Sequence, residues 1–140
     1  MTDAIRTIAL IAHDNRKPAL AEWVQTNRDQ LSGLNLISTG TTGQLIADKT
    51  GLPVTRLKSG PHGGDQQIGA RIAEGEVDML IFFWDPLEPM SHDPDIRALL
   101  RLATLWNIPI ASNECTADFL VSSPCFQAYD RKLPGWEKNS

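Results

Sequence analysis

A chain of 140 residues that is 41% hydrophobic and 21% charged has enough apolar content for one ordinary globular domain and too much for intrinsic disorder. Its net charge of -4, with no cluster of Lys and Arg, argues against nucleic acid or a membrane surface as a partner. The longest apolar run is too short to span a bilayer, the first residues do not resemble a signal peptide, and two cysteines do not make a disulfide framework; a cytoplasmic protein with reduced Cys115 and Cys125 is expected.

Residues 7–12 (TIALIA) are apolar and predict a strand; Pro18 then opens a segment in which Leu20, Trp23, Val24, Asn27 and Leu31 recur at helical spacing. Residues 34–38 predict a second strand, followed by a Thr/Gly turn and a helix over 44–49 that Gly51 ends. A third strand is predicted over 54–57, and Ile68 and Ile72 mark one face of a helix over 66–74. Residues 79–84 (MLIFFW) show no polar alternation, which suits a strand covered on both faces in the middle of a parallel sheet. A loop with Asp85-Pro86 and His92-Asp93-Pro94-Asp95 follows, then a helix over 96–106, a strand over 108–111 and a helix over 116–121. Five strand–helix units predict a single-domain three-layer α/β/α sandwich, residues 1–140, around a five-stranded, parallel, doubly wound sheet, with 130–140 as a short frayed tail.

Ligands of an open parallel sheet sit beyond the carboxyl ends of its strands, where helix N-termini also point. The segments in those positions, 13–17, 39–43, 59–65, 85–95 and 112–113, hold nearly all the Gly, Thr, His and Asp with chemical potential. The opposite connections, 27–33, 49–53 and 74–78, read as solvated turns. Thr39-Gly40-Thr41-Thr42-Gly43 combines hydroxyls and small residues at a helix start, which suits a phosphate; an ordinary N-cap at Thr41 or Thr42 is the competing reading. It matches neither the dinucleotide fingerprint nor the P-loop.

In residues 59–65, Ser59-Gly60 offer a hydroxyl and a backbone N–H, while Gly63-Gly64 let the chain turn to place Asp65 at a helix start. Asp65 is there either as an N-cap or as a working carboxylate, and four Gly or Pro within 60–64 exceed what a cap requires. A base acting near neutral pH needs burial or neighbouring carboxylates to raise its proton affinity, and Asp14, Asp85 and Asp95 are the candidate neighbours. Lys17, more than Arg16, supplies positive charge for a phosphate. His13, His62 and His92 with nearby aspartates are the sharpest metal alternative, but their spacing fits no metal motif.

Taken together and in order, A-H-D followed by Lys17, T-G-T-T-G at 39–43, S-G-P-x-G-G-D-Q-Q at 59–67, I-F-F-W-D-P-L at 81–87, H-D-P-D at 92–95 and T-A-D-F at 116–119 closely resemble the methylglyoxal synthase family over residues 8–126. The resemblance implies a carbon–oxygen lyase of the glycolytic bypass, with no metal or cofactor, that converts dihydroxyacetone phosphate to methylglyoxal and inorganic phosphate through an enediolate. It implies Asp65 as general base and His92 as the group that stabilises the carbonyl oxygen. It further implies His13, Lys17, Thr39, Gly40, Thr41, Thr42, Ser59, Gly60 and His92 as the substrate-binding set, and a homohexamer inhibited by phosphate. The same fold also serves as a non-enzymatic effector-binding regulatory domain, which is the alternative. A related purine-pathway cyclohydrolase domain is a second rival, expected to lack the G-G-D-Q-Q element. Three departures from the family pattern stand out: a short tail after Tyr129 without the usual late arginine, His62 in place of an apolar residue, and Cys115 in place of alanine.

Overall fold

The computed structural model describes residues 5–88 and 93–133. Strands β1 (Thr7–Ala12), β2 (Asn35–Thr39), β3 (Val54–Leu57), β4 (Met79–Phe83) and β5 (Ile110–Ala111) form one parallel sheet in the order β3-β2-β1-β4-β5. The helices are α1 (Lys17–Thr26), α2 (Arg28–Leu31), α3 (Gly40–Thr50), α4 (Gly64–Ala73), α5 (Asp93–Leu105) and α6 (Glu114–Ser122). In register, Leu10 of the central strand faces Ser38 of β2 and Ile81 of β4, and the buried Ser38 hydroxyl donates to the Leu10 carbonyl at 2.6 Å.

Alternation along the strands divides the core into two layers. Ile8, Leu10, Met79, Ile81 and Phe83 point to one face, where Leu20, Val24, Ile46 and Val121 of α1, α3 and α6 cover them. Ala9, Ile11, Leu80 and Phe82 point to the other, against Ile68 and Ile72 of α4 and Ile96 and Leu99 of α5. Strand β4 is buried throughout, as its apolar run predicts, but it ends at Phe83, and Trp84, expected as its last buried residue, is exposed; the edge strand β3 leaves Thr55 and Arg56 exposed. The three-layer parallel architecture is therefore the one expected, and both β1 and β3 keep their predicted bounds.

Three local expectations need correcting. Residues 27–33 include the short helix α2, because the fully buried Leu31 draws the chain back onto the core after Asn27 interrupts α1. Strand β5 spans only Ile110–Ala111, since Asn107 turns at a positive φ of 57° just before it. Residues 39–43 are not a turn: β2 runs to Thr39 and α3 begins at Gly40, with Thr39 in the cap position and no side-chain cap bond.

Candidate active site

A cleft of about 250 Å³ opens at the carboxyl ends of β1 to β4. Strand β1 is the switch point of the sheet, with β2 and β3 laid down on one side of it and β4 and β5 on the other, and such a point is where a parallel sheet binds ligands. His13, Asp14 and Lys17 reach the cleft from the segment after β1, Thr39, Thr41 and Thr42 from the β2–α3 junction, and Ser59, Gly60 and Asp65 from the connection to α4.

Asp65 is only 3% exposed. Gly63 takes the cap position of α4 with a φ of 104°, so the N-cap reading of Asp65 fails; the carboxylate lies inside the first turn. The helix N-terminus is a favourable place for its charge. A Cβ on Gly60 would sit 3.4 Å from both Asp65 oxygens, so Gly60 lies directly against the carboxylate, and both residues line the cleft. Around it the chain is tightly pinned. The Ser59 carbonyl accepts from the N–H groups of His62 at 3.0 Å and Gly64 at 2.9 Å, and Gln67 accepts from the Lys58 N–H at 2.8 Å.

Lys17 donates to the Thr41 hydroxyl at 2.7 Å and pairs with Asp14 at 2.7 Å. An ammonium has three donors, so one remains for a ligand after these two contacts. Thr39 and Thr42 are buried hydroxyls beside it, at the N-terminus of α3, whose first N–H groups have no partner within the helix. Lys17, the α3 N-terminus and Ser59 thus form a cradle suited to an anion. Gly40 is not in the lining; it lies against Ser59, where a Cβ would meet the Ser59 backbone at 2.9 Å.

His13 is 7% exposed and packs edge-on against Phe82, with ring centroids 5.2 Å apart. Its Nδ1 accepts the Asp85 backbone N–H at 2.9 Å. A nitrogen that accepts carries no proton, so the neutral ring has its proton on Nε2. The Glu88 carboxylate lies 3.7 Å from the same Nδ1, too far for a hydrogen bond, and the backbone contact decides the tautomer.

The candidate supporting carboxylates have separate surroundings. Asp14 borders the cleft but is 81% exposed and is paired with Lys17. Asp85 lies outside the lining and organises its own loop: it accepts from the Leu87 N–H at 3.0 Å and from Asn15 at 3.1 Å, contacts that hold its carboxyl below the ordinary range. Asp95 borders a second cavity, between α4 and α5, that Asp65 also borders. His92 lies outside the described residues, as does the tail from residue 134. Glu88 lines the cleft although no motif singled it out, and only its position in the loop after β4 could have pointed to it. Among the described residues no three His, Cys, Asp or Glu side chains gather as a metal site.

Fold and cleft together define an MGS-like domain, and a family model of that description matches residues 19–112. Methylglyoxal synthase of Hahella chejuensis is 60% identical over 133 residues, covering 95% of this chain and 87% of that protein. Its counterpart in Proteus mirabilis is 59% identical, covering 94% and 88%. The crystal structure of methylglyoxal synthase from Elizabethkingia anophelis superposes with a TM-score of 0.90 at 46% identity, covering 99% of this chain and 93% of that one. The chain belongs to the methylglyoxal synthase family.

Proposed function

We propose that the chain is the lyase that converts dihydroxyacetone phosphate to methylglyoxal and inorganic phosphate, with Asp65 as its general base. Identity of 56–60% to methylglyoxal synthases over nearly the whole chain supports the activity. The observation that carries the assignment of the base is the buried Asp65 carboxylate, which lines the same cleft as the Lys17 and threonine cradle.

The substrate phosphate occupies the cradle of Lys17, Thr39, Thr41, Thr42, Ser59 and Gly60, with Gly40 packed against Ser59 beside it. Asp65 then takes a proton from the hydroxymethyl carbon, and the electron pair moves onto the carbonyl oxygen to give an enediolate. Burial favours this step, because a carboxylate stripped of water is a stronger base than a solvated one. His13 presents an Nε2–H, and a neutral imidazole can serve as the donor to developing negative charge. His92 joins it at the carbonyl oxygen; one well-placed donor there contributes about 3 kcal/mol to the transition state. The enediolate collapses with cleavage of the bond to the bridging oxygen, which leaves with phosphate, and the enol formed becomes methylglyoxal. That bond must stand out of the enediolate plane for orbital overlap, so the cradle also steers the reaction.

Incubating the purified chain with dihydroxyacetone phosphate and measuring methylglyoxal and phosphate together tests the activity; both should appear in equal amounts. Folded protein that binds phosphate and yields neither product would establish the effector-binding alternative instead. A cytoplasmic homohexamer inhibited by phosphate completes the proposal. The exposed Leu87, Phe119 and Tyr129 supply apolar surface for subunits to cover, and light scattering on the purified chain should return a sixfold mass.

A further inference from the structure

We propose that His62 is a positioning residue for the phosphate cradle: it sets the direction in which the Ser59 hydroxyl points. The inference rests on the reading of the cleft as a phosphate-ester site and deepens it by one residue. His62 is exposed and is not part of the cleft lining, so it acts through Ser59, which is.

The backbone brings the two side chains together. Ser59 precedes a single 3-10 turn, Gly60–His62, and its carbonyl accepts the His62 N–H at 3.0 Å. Residue 62 is thereby folded back over residue 59, and His62 Nδ1 comes within 2.9 Å of Ser59 Oγ. A serine hydroxyl has one proton and two lone pairs, so this contact permits two arrangements. With a bare Nδ1, Ser59 donates to the ring and offers the cleft only lone pairs, which repel a phosphate oxygen. With a proton on Nδ1, the ring donates to Ser59 and leaves the hydroxyl proton free to point at the phosphate.

A bound phosphate therefore selects the second arrangement. The hydroxyl is then held at both ends, by the ring behind and the anion in front, and less rotational freedom is lost on binding. His13 is the useful contrast. Its Nδ1 is held bare by the Asp85 N–H, whereas Nδ1 of His62 faces a hydroxyl that accepts either polarity.

The test uses the full chain with His62→Leu, His62→Asn, Ser59→Ala and the double variant Ser59→Ala/His62→Leu. Inorganic phosphate binding is measured by calorimetry, and KM and kcat with dihydroxyacetone phosphate. His62→Leu should weaken phosphate binding and raise KM by about five- to tenfold, the scale of one weakened hydrogen bond to a charged group, with kcat little changed. His62→Asn should recover most of that loss, because its amide nitrogen is as many bonds from Cβ as Nδ1 and can donate. In the Ser59→Ala background, His62→Leu should have no further effect. Wild-type phosphate affinity in His62→Leu, an equal loss with Ser59 already removed, or a fall in kcat at constant KM would each overturn the proposal. If the unaltered chain neither binds phosphate nor turns over substrate, the phosphate-ester reading falls and this inference with it. Normal behaviour of the unaltered chain with indifference to His62 removes the inference alone.

Discussion

Replacing Gly64 with alanine should damage the site through backbone contact alone. A Cβ at this position would stand 1.9 Å from the Lys58 carbonyl oxygen and 2.9 Å from both the Lys58 carbonyl carbon and the Ser59 carbonyl oxygen. Carbon and oxygen need about 3.3 Å even in a close C–H···O contact, so backbone must move by more than about 1 Å. None of the obstructing atoms belongs to a flexible side chain. The segment that moves carries Ser59, and Asp65 is the next residue after the substitution. A misplacement of about 1 Å can cost about 100-fold in rate, and a loss of that order in kcat/KM is expected. Overpacking should also lower stability by about 1–3 kcal/mol. Gly63→Ala is the control: nothing lies within 4 Å of the place its Cβ would take, so its cost is that of a left-handed alanine, about 1–2 kcal/mol, with turnover largely kept. Methylglyoxal formation and urea unfolding report the two effects separately. A Gly64→Ala protein with kcat/KM and stability within about twofold and 0.5 kcal/mol of the parent would refute the reasoning.

Asp65→Asn should reduce kcat by about 10²- to 10⁴-fold while phosphate binding persists; substantial residual turnover would remove Asp65 from the role of base. Lys17→Met should weaken phosphate binding by about 10- to 100-fold in calorimetry, the scale of one lost charge-assisted hydrogen bond. Its unfolding midpoint should hardly move, because the pair that Lys17 makes with Asp14 is exposed on the acid's side and such pairs contribute about 0–1 kcal/mol. Asp85 has its carboxyl held below the ordinary 3.8, first by the Leu87 N–H and then by Asn15. A depressed carboxyl contributes stability above its unfolded pKa and loses it as the pH falls through the folded one. In urea melts, the parent should therefore lose stability below about pH 4 more steeply than Asp85→Asn, and parallel curves would show that these contacts carry no linkage.

The strands were legible wherever apolar runs were uninterrupted. Strand β1 and the edge strand β3 match in extent, and the two-faced burial of β4 follows from MLIFF having no polar position. What escaped depends on contacts across the fold. Leu31 reads as the end of one helix, yet it nucleates α2 because the core takes it in after Asn27 has broken the ladder. Thr39-Gly40-Thr41 reads as a turn by composition. It becomes strand and then helix without pause because Gly40, at a φ of 25°, lets the chain bend hard against Ser59. Within the cleft, the motif residues were visible because glycines and hydroxyls cluster after strands. Glu88 was not, since a single glutamate in a polar loop carries no pattern. The tautomer of His13 was also out of reach, being set by a backbone N–H 72 residues away.

The charge of the cleft adds a last constraint. Its lining contains three carboxylates, Asp14, Asp65 and Glu88, against one lysine, Lys17, among the described residues. A phosphate entering it cannot rely on an excess of positive charge, so its hold must come largely from neutral donors: the threonine hydroxyls, Ser59 and the free N–H groups opening α3. Such a cradle depends on geometry more than on charge, which explains why glycines with close backbone contacts, Gly40 against Ser59 and Gly64 against Lys58, surround it. It also suits a reaction that ends by expelling phosphate. In the proposed reaction the leaving phosphate would be released beside these carboxylates rather than into a pocket lined by lysines and arginines.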